Sequence, residues 1–381
     1  MKKFNTDKTG KIKYVNAILR FFTQIKKPDG IIDVHSSKEI LVICFDSIGD
    51  VVMLIPFLRI LKRNAPDAKI TLVCRQYAEE VLRDQKLVNR FFICSNRLLA
   101  SKKYLIRDGF SALGALRRIN KRKYDIALEP RGDLRDIFFM HFCRSVRKVS
   151  YTYTGGEYML TDPISPDESV IHLIDDKMVF LRRIGCDFSE EDIIPRIELT
   201  KGQIEDNCNF ADIKKLNGRY VIGIHPGASK EIKKWKKFPE LLLKLKDIPD
   251  SFFLFFSATG DDVDVKPLID CCKDNGIDYL HICGSISDYI KRMALCDMVV
   301  CNDSSAAHFA SALGIEVHVM FGPVLSEFAK PYSNAGVHVY EKNHVGCRPC
   351  NQGECLYGNR CLEEISVDEV AEGIFRSIPE G

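Results

Sequence analysis

The sequence has no apolar run approaching the roughly 18 residues that a membrane-crossing helix needs. Its first residues lack the compact apolar core and small-residue cleavage site of a secretory signal. It has little net charge: 55 Lys and Arg stand against 52 Asp and Glu, a balance of +3 that gives no reason to expect nucleic acid as a partner. Neither GxxxxGK followed by Ser or Thr, nor GxGxxG after a strand, occurs, so P-loop ATPase and simple dehydrogenase chemistry lose their support. There is one tryptophan, no low-complexity tract and no short repeat. What remains is a soluble globular protein, expected in the cytoplasm. With 381 residues, 46% of them hydrophobic, it is long enough for two domains.

Cysteine is plentiful, at fifteen residues. Cys44, Cys74, Cys94, Cys283 and Cys301 lie in or beside apolar, strand-like runs, where a thiol acts as a small hydrophobe. A chain with its own core has no need of disulfide staples, so reduced thiols are expected.

Residues 1–27 carry eight basic side chains against the single acidic Asp7. Ile12, Val15, Leu19, Phe22 and Ile25 recur at helical spacing among them. Such a helix, over about residues 11–27, can lie on an anionic inner-membrane surface or dock on the protein's own body. Both readings stay open. Residues 1–37 are taken as an appendage.

From Glu39 the chain alternates strand and helix. "EILVICF", "KITLVCR", "RFFIC" and "YDIALEP" read as strands, with helices over Val51–Lys62, from Ala78, and near Leu113–Lys123. The rhythm lapses at about 195–218 and restarts with "RYVIGIHPG", a helix at Phe238–Lys246, "SFFLFFSATG", "YLHICG" and "DMVVCND". A helix at Ser304–Leu313, stopped by Gly314, precedes "EVHVMFGP", expected to close the sheet. Short strands apolar at every position suit parallel sheets covered on both faces. The fold class is therefore α/β, with two Rossmann-like doubly wound domains at 38–205 and 206–345, then a cysteine-containing tail and helix at 346–381. Ligands of such sheets bind beyond the strand ends, so a cleft between the two domains is expected to hold them.

The chemistry-bearing residues follow strands. In "CNDSSAAHFASALG", Asp303 precedes a helix start where Ser304 and Ser305 and the first-turn N–H groups form an anion site, with His308 one turn inside. N-capping alone also explains Asp303 and Ser304, and core packing explains His308. In "HPGASKEIKKWKK", a glycine turn brings Ser229 and Lys233 to a strand end, where a lysine suits phosphate as a mobile charge. Lys236 and Lys237 read as a solvated face. In "SATGDD", Asp261 and Asp262 are placed to hold ribose hydroxyls. The first domain offers Asp46 and Asp50, with Gly49 permitting a tight turn out of the strand. It also offers Arg131, Asp133 and Arg135 in "EPRGDLRD", which suit a polyhydroxyl or anionic acceptor or form a salt-bridged loop.

The stretches "ILVICFDSIGDVVMLIPFLRILKRNAPDAKI", "DIALEPRGDLRD", "IGIHPGASKEIKKW", "VVCNDSSAAHFASALGIEVHVMFGP" and "CRPCNQGECLYGNRCLEEISVDEVAEGI" resemble, in order, glycosyltransferase family 9, the bacterial heptosyltransferases of lipopolysaccharide assembly. The resemblance covers residues 38–375. It implies a GT-B fold, a nucleotide-sugar donor (ADP-heptose) on the C-terminal half, and a glycan or glycolipid acceptor on the N-terminal half. It implies inversion at the anomeric carbon and no cofactor or catalytic metal. Asp50 falls on the aspartate of the family's SxGD, its proposed general base. Lys233 falls on the K-x-W lysine that contacts donor phosphates, and Asp303, Ser304 and His308 fall on D-S/T-G-x-x-H. Ser305 stands where the family usually has glycine, which bears on how closely the backbone approaches a phosphate. Structural capping is left as the reading for Asp46. A non-catalytic nucleotide-sugar-binding protein, or a GT-B nucleotide-sugar hydrolase or epimerase, is the alternative function.

Cys347, Cys350, Cys355 and Cys361 have a spacing that could hold zinc. The resemblance favours a packed or redox-sensitive loop.

Overall fold

The computed structural model describes residues 25–94, 113–210, 212–258, 262–350 and 352–378. Asp261, and all but residues 25–27 of the basic amphipathic stretch, lie outside them. Among the described residues no helix is long and apolar enough to cross a membrane. The chain forms two compact units that divide between Ile193 and Ile194.

The first unit holds six parallel strands: β1 (Glu39–Cys44), β2 (Lys69–Cys74), β3 (Arg90–Ile93), β4 (Tyr124–Glu129), β5 (Ser145–Tyr151) and β6 (Asp162–Ile164). Their order is β3-β2-β1-β4-β5-β6. The central strands are buried nearly end to end, with Ile40, Leu41, Val42, Ala127 and Leu128 fully shielded from water. β5 and β6 carry no apolar run and escape the sequence pattern. In β5, Arg147 and Lys148 are themselves buried, and Arg147 is satisfied by Asp162 at 2.7 Å and by the carbonyls of Asp29 and Gly30. That arginine thereby ties the described end of the N-terminal appendage to the sheet.

The helix expected over Val51–Lys62 is two helices, α1 (Ile48–Val52) and α2 (Ile55–Asn64). Pro56 explains the break, because in a continuous helix its ring would clash with the carbonyl of Val52. Gly49 lies inside α1, not in the turn; the chain leaves the strand through Ser47, whose backbone is extended (φ −70°, ψ 167°). The other helix of this unit that bears on function is α3 (Leu134–His141).

The second unit repeats the plan with β7 (Tyr220–His225), β8 (Ser251–Ala258), β9 (Tyr279–Gly284), β10 (Met298–Asn302), β11 (Glu316–Phe321) and β12 (Val337–Glu341). All are parallel, in the order β12-β11-β10-β7-β8-β9. The expectation that β11 closes the sheet is corrected: β12, half-buried and rich in polar residues, extends the edge. Helices α4 (Lys201–Cys208), α5 (Phe238–Leu245), α6 (Asp262–Asn275), α7 (Ile286–Met293), α8 (Ser305–Ala312) and α9 (Val367–Ser377) belong to this unit. α4 is fixed there by Asn207, whose amide donates to the Lys291 carbonyl at 2.8 Å and accepts from Arg292 at 2.6 Å. The chain after 345 is no loose tail. Cys361, Leu362, Ile365, Val370, Ala371 and Ile374 share one core with α5 and Trp235, and the indole N–H donates to the Ile365 carbonyl at 3.1 Å.

All fifteen cysteines are free thiols. Cys44, Cys74, Cys94 and Cys301 are buried as expected, whereas Cys283 is exposed.

Candidate active site

In each sheet the strand order reverses beside the first strand of its unit, between β1 and β4 and between β7 and β10. Neighbouring strands there send their following helices to opposite faces, which leaves room for a ligand beyond the carboxyl ends. The sequence places its polar loops at those two points.

At the first switch point, β1 is followed by Asp46, Ser47 and Asp50, and β4 by Arg131 and Asp133. Asp46 is 6% exposed and forms an ion pair with Arg131; its carbonyl accepts from the Tyr77 hydroxyl. The capping role expected of Asp46 falls instead to Asp50. As the third residue of α1, Asp50 accepts through Oδ2 from the Ser47 backbone N–H (3.2 Å) and the Ser47 hydroxyl (2.7 Å). This is half of a capping box. Burial works against the Arg131 cation, but the charges of Asp46 and Asp50 outweigh it and raise its pKa further. The guanidinium is therefore a fixed positive charge within the field of Asp50.

The turn "EPRGD" is built around Glu129, a fully buried carboxyl that sequence reasoning missed. It accepts from the N–H groups of Arg131 (3.3 Å) and Gly132 (2.7 Å) and from Ser150 Oγ (2.6 Å). Burial, and then the nearby Asp136, push its pKa well up. Gly132 has φ +77°, and a Cβ there would stand 2.8 Å from the Tyr151 Cβ, so only glycine fits. Asp133 caps α3 by accepting from the Arg135 N–H at 3.0 Å, and the Arg135 guanidinium folds back onto the same carboxylate at 2.9 and 2.5 Å. The salt-bridged loop thus describes Arg135 and Asp133, while Arg131 is engaged with the acidic cluster.

At the second switch point, Lys233 Nζ donates to Asp303 Oδ2 at 2.6 Å, with Asp303 8% exposed. Asn302, wholly buried, holds the two loops together: its amide donates to the Pro226 carbonyl (2.7 Å) and accepts from the Trp235 N–H (2.9 Å). Ser304 caps α8 by accepting from the Ala306 N–H at 3.3 Å. Ser305 opens the helix half-exposed, and His308 is buried in its first turn. Lys233, Asp303, Ser304, Ser305 and His308 therefore converge on one strand end, whereas Ser229 stands exposed on the intervening loop. Asp262, the first residue of α6, accepts from Ser257 Oγ at 2.9 Å and lies 3.7 Å from His281 Nε2, past the end of β8. Lys234 pairs with Asp264 at 2.8 Å. Lys236 meets Glu231 at the surface, as a solvated residue does. Lys237 does not fit that description, since its ammonium donates to the carbonyl of Glu363 and anchors the tail.

A family model for "Glycosyltransferase family 9 (heptosyltransferase)" matches residues 113–360. The chain belongs to glycosyltransferase family 9. The lipooligosaccharide heptosyltransferase 2 of Campylobacter jejuni is 21% identical over 54% of this chain and 70% of its own length. The lipopolysaccharide heptosyltransferase 2 of Salmonella typhimurium is 22% identical over 90% of this chain and 99% of its own. Among solved structures, the Escherichia coli ADP-heptose lipopolysaccharide heptosyltransferase II aligns with a TM-score of 0.70 at 18% identity, covering 89% of this chain and 98% of that one. The fold of this family 9 glycosyltransferase is accordingly GT-B, two Rossmann-like domains in succession.

Among the described residues of this glycosyltransferase, one group of three or more His, Cys, Asp or Glu side chains has ligand atoms within 4.8 Å of one another: Glu316, His318 and His338. Cys347, Cys350, Cys355 and Cys361 do not form such a group. Cys355 Sγ instead accepts the N–H groups of Tyr357 (3.4 Å) and Asn359 (3.2 Å), so it works as a loop cap.

Proposed function

We propose that this glycosyltransferase transfers a heptose from ADP-heptose, with inversion, onto a lipopolysaccharide core or related cell-surface glycan acceptor. The observation that carries the reading is the 2.6 Å Lys233–Asp303 pair beside the capped start of α8, at the switch point of the second sheet. Leaving-group charge in such a transfer collects on the nucleotide diphosphate. An ammonium has three donors; Asp303 engages one and orients the rest, and the α8 N–H groups add backbone donors and a favourable dipole. Ser229, on the loop between β7 and Lys233, and Asp262, with Asp261 before it, are assigned to the donor as well. His308 supports the floor of the same site. The names of the relatives supply the heptose and the ADP, and they favour a lipopolysaccharide acceptor.

In the first unit we assign Asp50 as the general base that takes the proton from the acceptor hydroxyl. The Ser47 bonds hold its carboxylate in one orientation. Arg131, with Asp133 and Arg135 shaping its loop, is assigned to the acceptor. The basic stretch 11–27 is assigned to contact with the inner-membrane surface, where a glycolipid acceptor is presented.

Replacing Asp50 by Ala or Asn is expected to lower kcat by at least 100-fold while the dissociation constant for the donor changes less than threefold. Measurement of ADP release against calorimetric donor binding separates the two. Full turnover in the variant contradicts the base assignment, and equal ADP release with and without acceptor would make the protein a hydrolase.

A further inference from the structure

At the other end of the second sheet, Glu316 and His318 are two residues apart on β11 and so share a face. The parallel register sets His338 of β12 beside His318. The two imidazoles stack at 4.3 Å between centroids with 10° between planes. His338 Nε2 lies 2.8 Å from Glu316 Oε1 and His318 Nε2 lies 3.6 Å from the same oxygen. His318 is fully buried, and its Nε2 makes no hydrogen bond among the described residues. A buried polar atom left unpaired needs an explanation.

Its other nitrogen has a partner. His318 Nδ1 is 2.7 Å from the Tyr340 hydroxyl, which donates in turn to the Val370 carbonyl at 3.5 Å. In the tautomer in which that hydroxyl accepts from Nδ1–H, Nε2 presents a lone pair toward Glu316. A second-sphere partner on the far nitrogen is how metal-ligating histidines are held.

We infer that Glu316, His318 and His338 form a binding site for a divalent transition-metal ion of the zinc class, fastening edge strand β12 to β11. Two imidazoles and a carboxylate are the donors such an ion takes, with water in the fourth position. Bond lengths of about 2.0–2.1 Å give a tetrahedral edge of roughly 3.3 Å, and the 2.8 and 3.6 Å separations straddle it. Parallel rings cannot both point at one ion, so one must pivot. His338, 41% exposed on the edge strand, has room to do so and opens the site to solvent. The site is separate from the donor cradle: Glu316 is in register with Met298 at the start of β10, and Asn302 follows four residues on, about 13 Å along the strand.

The test is a cobalt titration of the chelator-stripped full chain, followed by visible absorption and by displacement with zinc. One Co²⁺ per chain is expected, with ligand-field bands and no thiolate-to-cobalt charge-transfer band. His338→Ala and Glu316→Gln, at partly exposed positions, are expected to weaken binding at least tenfold with unchanged far-UV circular dichroism. A chain with Cys347, Cys350 and Cys355 all changed to Ser is expected to bind as before. No cobalt binding overturns the inference, as does binding that survives both variants or disappears with the tail thiols.

Discussion

At Asp46 the carboxylate is nearly buried and Arg131 neutralises it, whereas half-buried Asp50 is oriented by two bonds from Ser47. Burial and pairing make Asp46 a structural charge, whereas Asp50 stays partly exposed, as the base role proposed for it requires. Spacing in the sequence picked out both residues without separating them, and the capping expected of Asp46 falls to Asp50 because α1 begins directly after Ser47, which makes Asp50 its third residue. Asn302 is the corresponding joint in the second unit. Asn302→Ala strands the buried Trp235 N–H and Pro226 carbonyl, each worth about 1–3 kcal/mol when unpaired. The variant is expected to lose about 2–4 kcal/mol, read as a lower urea midpoint with an unchanged m-value. A loss below about 0.5 kcal/mol would mean water restores both bonds.

Two helix starts allow packing and ligand effects to be told apart. Ser304 caps α8 at the proposed donor site, and Ser366 caps α9 by accepting from the Glu369 N–H at 3.1 Å, on an element far along the chain from the Lys233 pair. Ser304→Ala and Ser366→Ala are each expected to cost about 1 kcal/mol of stability. Only Ser304→Ala is expected to weaken donor binding, by threefold or more; equal donor affinities in the two variants count against an anion site at α8. The tail depends on a different device. Arg348, its side chain 1% exposed, donates to Glu341 Oε2 at 2.7 Å, and Ser326 Oγ donates to Oε1 at 2.8 Å. Burial alone would raise the Glu341 carboxyl, but the bonds from Arg348 and Ser326 prevail and hold it below its ordinary 4.5. A depressed acid stabilises the fold above its unfolded pKa and loses that contribution as pH falls through the folded value. Wild type is therefore expected to exceed Glu341→Gln in stability above pH 4.5, with the gap closing as the pH drops below it; a gap independent of pH from 7 to 3 would show that the charge plays no part.

Across the whole molecule the same six-strand order occurs twice, and both reversal points carry the polar loops. The inner strands were legible because parallel strands covered on both faces read as unbroken apolar runs such as "ILVIC" and "FFLFF". β5, β6 and β12 were not, since these edge and near-edge strands carry Arg147, Lys148, Asp162, His338 and Glu341 in place of an unbroken apolar run. The polar loops at the second switch point were legible as Gly, Ser, Lys and Asp after strands. The Lys233–Asp303 pair was not, because it joins residues 70 apart in sequence. Likewise Glu129 gave no signal beyond an acid at a strand end. The family assignment rests on the match over residues 113–360, and the nucleotide at the second switch point is the claim on which the proposed chemistry stands. A thermal-shift panel of ADP-, UDP- and GDP-sugars on wild type and Lys233→Ala tests it most directly. ADP-heptose is expected to raise the wild-type Tm by several degrees and to do little for the variant; a shift with UDP- or GDP-sugars alone, no shift with any donor, or an equal shift in Lys233→Ala would contradict it.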